Sequence, residues 1–164
     1  MNQSFNIYIS SFTGNTRKLA EEVCAQLKQD GAAFAEDDNP QLPNVIIFFW
    51  CRKSTMDPKS LEFLSRCKGK QIIAIGTLGA YPDSEYGELV KNNVKEAISK
   101  DNICEGVFLS QGKIREESTE RRRNLPADHP HHLDDEGLKR HMESRMHPNQ
   151  EDFANAVRFI KNLK

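Results

Sequence analysis

The unbroken apolar run Val45-Ile46-Ile47-Phe48-Phe49-Trp50 leaves this chain few ways to fold. A strand with no polar alternate positions is buried on both faces, the condition of a central strand in a parallel sheet covered by helices on each side. The segments around it follow the same plan. Phe5-Asn6-Ile7-Tyr8-Ile9 predicts a first strand, and Thr16 to Lys28 predicts a helix whose Leu19, Ala20, Val23, Cys24 and Leu27 share one face, with Gly31 as its stop. Ala32 to Glu36 is weakly apolar and predicts a short edge strand before the turns at Asn39-Pro40 and Leu42-Pro43. Beyond the central run, Asp57-Pro58 supplies an N-cap and a first-turn proline to a helix bearing Leu61, Leu64 and Cys67. Gln71 to Gly76 and Gly106 to Ser110 predict two more buried strands, separated by a helix with Leu89, Val90, Val94, Ala97 and Ile98. Strands and helices alternating in this way predict an α/β fold with a parallel sheet.

A length of 164 residues suits one domain over 1–164. Lys plus Arg number 23 against 24 Asp plus Glu, so a net charge of -1 gives no electrostatic reason to expect nucleic acid or anionic lipid as partner. The longest apolar run, Val45 to Cys51, falls far short of the roughly 20 residues of a membrane-spanning helix. The first residues lack the basic region of a secretory signal. Cysteines at 24, 51, 67 and 104 form no C-x-x-C pair, which predicts a reduced, cytoplasmic chain rather than disulfides or a zinc site. From 113 to 148 the composition becomes charged and proline-punctuated, holds all five histidines, and has only a thin apolar stripe at Leu138, Met142 and Met146. This segment reads as a polar, His-rich insertion or lid before a final helix over Glu151 to Leu163. Its histidines show no metal-binding spacing, and its basic stretch from Arg115 to Arg123 reads as a solvated helix face or a docking surface for an acidic partner.

The most specific chemistry lies where the first strand meets the first helix, in Ser11-Phe12-Thr13-Gly14-Asn15-Thr16. Three hydroxyls, an amide and a glycine stand at a helix N-terminus, where unpaired N–H groups and the positive end of the helix dipole attract phosphate. The segment lacks both the G-x-x-x-x-G-K-[ST] of a nucleoside triphosphate loop and the G-x-G-x-x-G of a dinucleotide turn. A phosphate monoester is the expected ligand.

Ser11, Thr13, Gly14 and Thr16 match the [ST]-x-T-G-x-T phosphate loop of the flavodoxin family, which this chain resembles over most of residues 1–112 and the last helix. The resemblance implies a doubly wound five-stranded parallel sheet of order 2-1-3-4-5, with FMN held noncovalently at the carboxyl ends of the strands. It also implies two flavin loops, here Trp50 to Asp57 and Thr77 to Tyr86. In them Trp50 and Tyr81 are the residues expected to stack on the ring, with Thr77, Leu78, Gly79 and backbone amides at its polar edge. Ser110-Gln111-Gly112 is a further approach to the flavin.

The chain also departs from that family. Where many carrier flavodoxins have a glycine whose peptide flip tunes one-electron reduction, it has Cys51-Arg52-Lys53-Ser54-Thr55-Met56. Arg52 or Lys53, if close to the ring's pyrimidine end, would favour the anionic reduced flavin and raise the potential. Asp128-His129-Pro130-His131 and His147-Pro148-Asn149-Gln150-Glu151-Asp152 resemble the C-terminal region of short flavodoxin-like proteins of anaerobic bacteria, some associated with bilirubin reduction beside a larger flavin reductase. The function implied is FMN-dependent electron transfer to a redox partner, a flavin or iron-sulfur enzyme, with no side chain acting as catalytic acid, base or nucleophile. The alternatives are a small NAD(P)H-dependent FMN or quinone reductase and a non-catalytic scaffold subunit.

Overall fold

The structure, a computed structural model, describes residues 2–163. Strand β1 (Ser4–Ile9) leads into α1 (Asn15–Gln29), and β2 (Ala33–Glu36) returns beside it. Then come β3 (Asn44–Arg52), the two-residue β4 (Thr55–Met56), α2 (Pro58–Arg66), β5 (Gln71–Leu78), α3 (Glu85–Ser99) and β6 (Ile103–Gln111). The chain closes with α4 (Glu116–Arg123), α5 (Asp135–Ser144) and α6 (Gln150–Asn162). Five parallel strands lie in the order β2-β1-β3-β5-β6, and β4 pairs antiparallel with the end of β3 outside that row. Setting β4 aside, this is the 2-1-3-4-5 order expected. Among the described residues no helix is long and apolar enough to cross a membrane.

The central run divides its side chains between two cores, as a period of two requires. Ile46 and Phe48 join Phe5, Leu19, Val23, Leu27, Phe153 and Ile160 beneath α1 and α6, whereas Val45, Ile47 and Phe49 join Phe63, Val90, Val94 and Ile98 beneath α2 and α3. Phe48 and Phe49 are wholly buried, and each such side chain contributes about 2–3 kcal/mol by leaving water. A close approach explains Gly76 in β5, since a Cβ there would fall 2.3 Å from the Phe49 ring.

The strands run further toward their carboxyl ends than their apolar cores alone indicate. β5 continues through Thr77 and Leu78 because it is paired on both sides, Thr77 with Trp50 of β3 and Leu78 with Gln111 of β6. The segment after Trp50, expected to be a loop, is a hairpin. Lys53 and Ser54 both take positive φ, 49° and 63°, which matches a two-residue turn to the right-handed twist of the strands it joins. Neither residue carries the Asn-Gly or Asp-Gly signature of that turn.

Segment 113–148 packs through small and polar residues. The apolar stripe does not supply the buried face of α5, for Met142 is 48% and Met146 65% exposed. Gly137, His141 and Ser144 face inward instead, with Leu133. Small and polar residues pack there because they meet backbone: Ser144 Oγ accepts from Ile114 N at 3.0 Å and donates to His141 O at 2.6 Å.

Asp57 is fully buried, and its carboxylate gathers several donors. Oδ1 accepts from Ser10 Oγ (2.7 Å) and Ser60 N (3.1 Å), and Oδ2 accepts from Ser60 Oγ (2.7 Å) and Trp50 N (3.3 Å). One side chain thereby caps α2 and ties the end of β1 to the end of β3. Replacing Asp57 with Ala leaves these donors buried without an acceptor, and urea unfolding should show a loss of about 3 kcal/mol. A loss under about 1 kcal/mol would mean that the clamp is dispensable.

Candidate functional site

Loops at the carboxyl ends of β1, β3, β5 and β6 converge on the crevice beside the point where strand order reverses, between β1 and β3. Ser11-Phe12-Thr13-Gly14 leads from β1 into α1. Gly14 is the N-cap of α1 with φ 98°, a left-handed conformation that suits glycine, and it has no side chain of its own with which to cap the helix. Ser11 Oγ accepts from the amides of Gly14 and Arg17, both at 3.2 Å, and so folds the loop over the helix end. Of the first-turn amides, that of Arg17 is taken by Ser11 Oγ, while those of Asn15 and Thr16 have no acceptor within the helix.

The remaining polar groups of the loop brace it against its neighbours. Asn15 Nδ2 donates to Lys113 O at 3.0 Å and to Thr13 Oγ1 at 3.3 Å. Thr16 is buried, with its hydroxyl 2.8 Å from Thr77 Oγ1 and donating to Phe49 O at 3.4 Å, so it ties α1 to β3 and β5. Thr13 and Gly14 stay exposed. Lys18, Lys113 and Arg145, with Glu22 among them, line the open groove beside Thr13, Gly14 and Asn15, so cations predominate along the loop's border.

Next to the loop, Phe12, Thr13, Asn15, Thr16, Trp50, Thr77, Leu78 and Gly79 line one small cleft of about 150 Å³. Phe12 is 66% exposed and lies on Trp50, with ring centroids 5.2 Å apart and planes 26° from parallel. The Arg115 guanidinium lies 5.2 Å from the Phe12 ring, and in this arrangement the face of Trp50 is covered. Cys51, Gly112, Lys113 and Ile114 complete the cleft.

The structure does not bring every expected residue to this cleft. Arg52 is exposed at the end of β3, opposite Thr55 in the hairpin, and is not part of the lining. Tyr81 donates its hydroxyl to Glu143 Oε2 of α5 at 2.5 Å, which fastens the loop after β5 to segment 113–148 and keeps Tyr81 out of the lining. Gln111 serves the same purpose, donating to Gly79 O at 3.2 Å and Arg140 O at 3.4 Å. Asp57 was legible in sequence only as a helix cap. Its tie to Ser10 and Trp50 is long-range and leaves no local signature.

A buried imidazole underlies the adjoining segment. His141 Nδ1 lies 2.9 Å from Thr119 Oγ1, and the two join α4 to α5. Burial, and then the positive charges of Arg122, Arg140 and Arg145, push its pKa below the ordinary histidine value. Among the described residues, no group of three or more His, Cys, Asp or Glu is arranged to hold a metal. Because the folded pKa of His141 is depressed, the unfolded chain binds the extra proton. The stability that His141 contributes is therefore full above the unfolded pKa of about 6.5 and is lost as pH falls below it. Urea unfolding between about pH 7.5 and 5.5 should show a steeper loss of stability for the parent than for His141→Gln. Equal slopes would show that His141 is free to protonate in the folded state.

A relative described as the flavodoxin-like domain-containing protein BilS, from Clostridioides difficile strain CD3, is 28% identical over 167 residues, covering 96% of this chain and 94% of that protein. Among solved structures, oxidised flavodoxin 1 from Bacillus cereus is 13% identical with a TM-score of 0.50, covering 90% of this chain and 99% of its own. The two-electron reduced flavodoxin of Megasphaera elsdenii is 16% identical with a TM-score of 0.47, covering 86% and 97%. A family model described as flavodoxin domain matches residues 6–161. The chain therefore belongs to the flavodoxin family, whose members are FMN-binding proteins.

Proposed function

We propose that this chain binds FMN and carries electrons to a larger redox enzyme, a flavin or iron-sulfur protein, as an accessory donor in the cytoplasm. Bilirubin reductase is the example of such an enzyme that the resemblance of its C-terminal region supplies. The observation that carries the reading is the placement of the Ser11–Thr16 loop. It presents the N-terminus of α1, where the amides of Asn15 and Thr16 lack a helical acceptor, beside an aromatic face at the carboxyl edge of a parallel sheet.

The residues present fit FMN. First-turn amides of α1 with the hydroxyls of Ser11 and Thr13 suit a phosphate monoester, and the chain supplies no P-loop lysine that a triphosphate would need. Trp50 offers an aromatic face, and Phe12, 66% exposed and lying over Trp50 and against Arg115, is the side chain that gives way to a flavin. Thr77, Leu78 and Gly79 stand at the ring's polar edge in this reading. FMN, when bound, supplies one- and two-electron redox chemistry, while the protein orients it and shields it from water. The four free cysteines, two of them buried, suit the reducing interior of a cell.

Trp50 is the only tryptophan, so its emission reports on the ring site directly. Adding FMN should quench it, and the bound flavin, once reduced by dithionite, should pass its electrons to cytochrome c. The protein alone should not oxidise NAD(P)H in steady state. Sustained NAD(P)H oxidation would establish a reductase instead. Trp50 emission indifferent to FMN, with a colourless protein, would leave a scaffold.

A further inference from the structure

A second cleft, of about 360 Å³, opens on the other side of Gly79 and Ile114, the two residues it shares with the cleft that contains Trp50. Its lining is chemically one-sided. Arg121 and Arg122 reach it from α4 and Arg140 from α5, with Ser118 beside them, and no carboxylate lines it. None of the three arginines forms an ion pair among the described residues, although Arg145 pairs with Glu116 and Lys139 with Glu143 close by. The opposite wall is apolar and aromatic, formed by Gly79, Ala80, Ile114 and Tyr86. His141 also lines the cleft, and burial first, then the charges of Arg122, Arg140 and Arg145, hold its pKa below the ordinary histidine value.

Charge of one sign gathered in a low-dielectric recess is unfavourable unless something offsets it. A guanidinium presents its donors in a planar fork that matches a carboxylate or phosphate two bonds at a time. The flat wall of Ala80, Ile114 and Tyr86 matches a planar apolar body on the same molecule. We propose that this cleft is a binding site for a planar organic anion, carrying a carboxylate or a phosphate group, whose apolar end lies against Gly79 and Ile114. The siting of that ligand next to a flavin rests on the FMN reading above. The arginine site itself does not, because none of its side chains belongs to the Ser11–Thr16 loop.

Isothermal titration calorimetry with 2-naphthoate tests the site, using uncharged 2-naphthamide as the matched control and protein both with and without FMN. Naphthoate should bind in one-to-one stoichiometry and at least about tenfold tighter than the amide. The triple substitution Arg121→Gln, Arg122→Gln, Arg140→Gln should remove that preference, while Arg123→Gln, on the same helix but outside the lining, should keep it. Unchanged circular dichroism of the triple variant separates loss of the site from loss of the fold, and Arg140→Gln alone, which should weaken naphthoate in part, provides a milder second variant. 2-Naphthyl phosphate binding more tightly than naphthoate would identify the ligand class as a phosphate, and the reverse order as a carboxylate. Equal affinity for naphthoate and the amide, or indifference to the arginines, would overturn the proposal. So would failure of every small anion alongside arginine-dependent binding of an acidic protein. Naphthoate binding without FMN binding would leave the cleft standing and remove the flavin reading. The opposite pattern would do the reverse.

Discussion

The carboxylate of Asp57 is the constraint on which the site's shape depends. A buried charge is tolerated only where its lone pairs are filled, and here Ser10, Trp50 and Ser60 fill them while the N-terminus of α2 adds a favourable dipole. The loop that leaves β1 and the aromatic residue at the end of β3 are thus held to one point. Thr16 with Thr77, Asn15 with Lys113, and Gln111 with Gly79 continue the same bracing across the carboxyl edge of the sheet. The apolar cores position the strands, and this polar seam positions what the strands present.

Much of this order was readable because it is local. The central strand betrays burial on both faces by lacking polar positions, and its alternation sorts Ile46 and Phe48 from Ile47 and Phe49 without knowledge of the helices that cover them. The β1–α1 loop was readable because hydroxyls and glycine concentrate at a strand-to-helix junction. What stayed hidden depends on distance or on uncommon backbone. The hairpin after β3 rests on two non-glycine residues at positive φ, which no propensity favours. The inward face of α5 is small and polar because it meets the backbone of Ile114, so its exposed methionines give the wrong orientation. The bond from the Tyr81 hydroxyl to Glu143, 62 residues away, likewise has no local signature.

Net charge conceals a segregated distribution. The whole chain is nearly neutral at -1, yet the groove at the phosphate loop holds Lys18, Lys113 and Arg145 against Glu22, and the neighbouring cleft holds three arginines with no ion pair among the described residues. In this account the cations lie on segment 113–148 as well as on α1, so the segment shapes the electrostatics of the site in addition to covering its edge.

The central claim is that the N-terminus of α1 holds the phosphate of a flavin. Parallel fluorescence titrations of the flavin-free protein with FMN and with riboflavin, which shares the ring but lacks the phosphate, measure that contribution directly. The account predicts binding of FMN at least about a hundredfold tighter than riboflavin, as charge-assisted hydrogen bonds to a phosphate supply. Equal affinities would place the binding energy in the ring alone and contradict it.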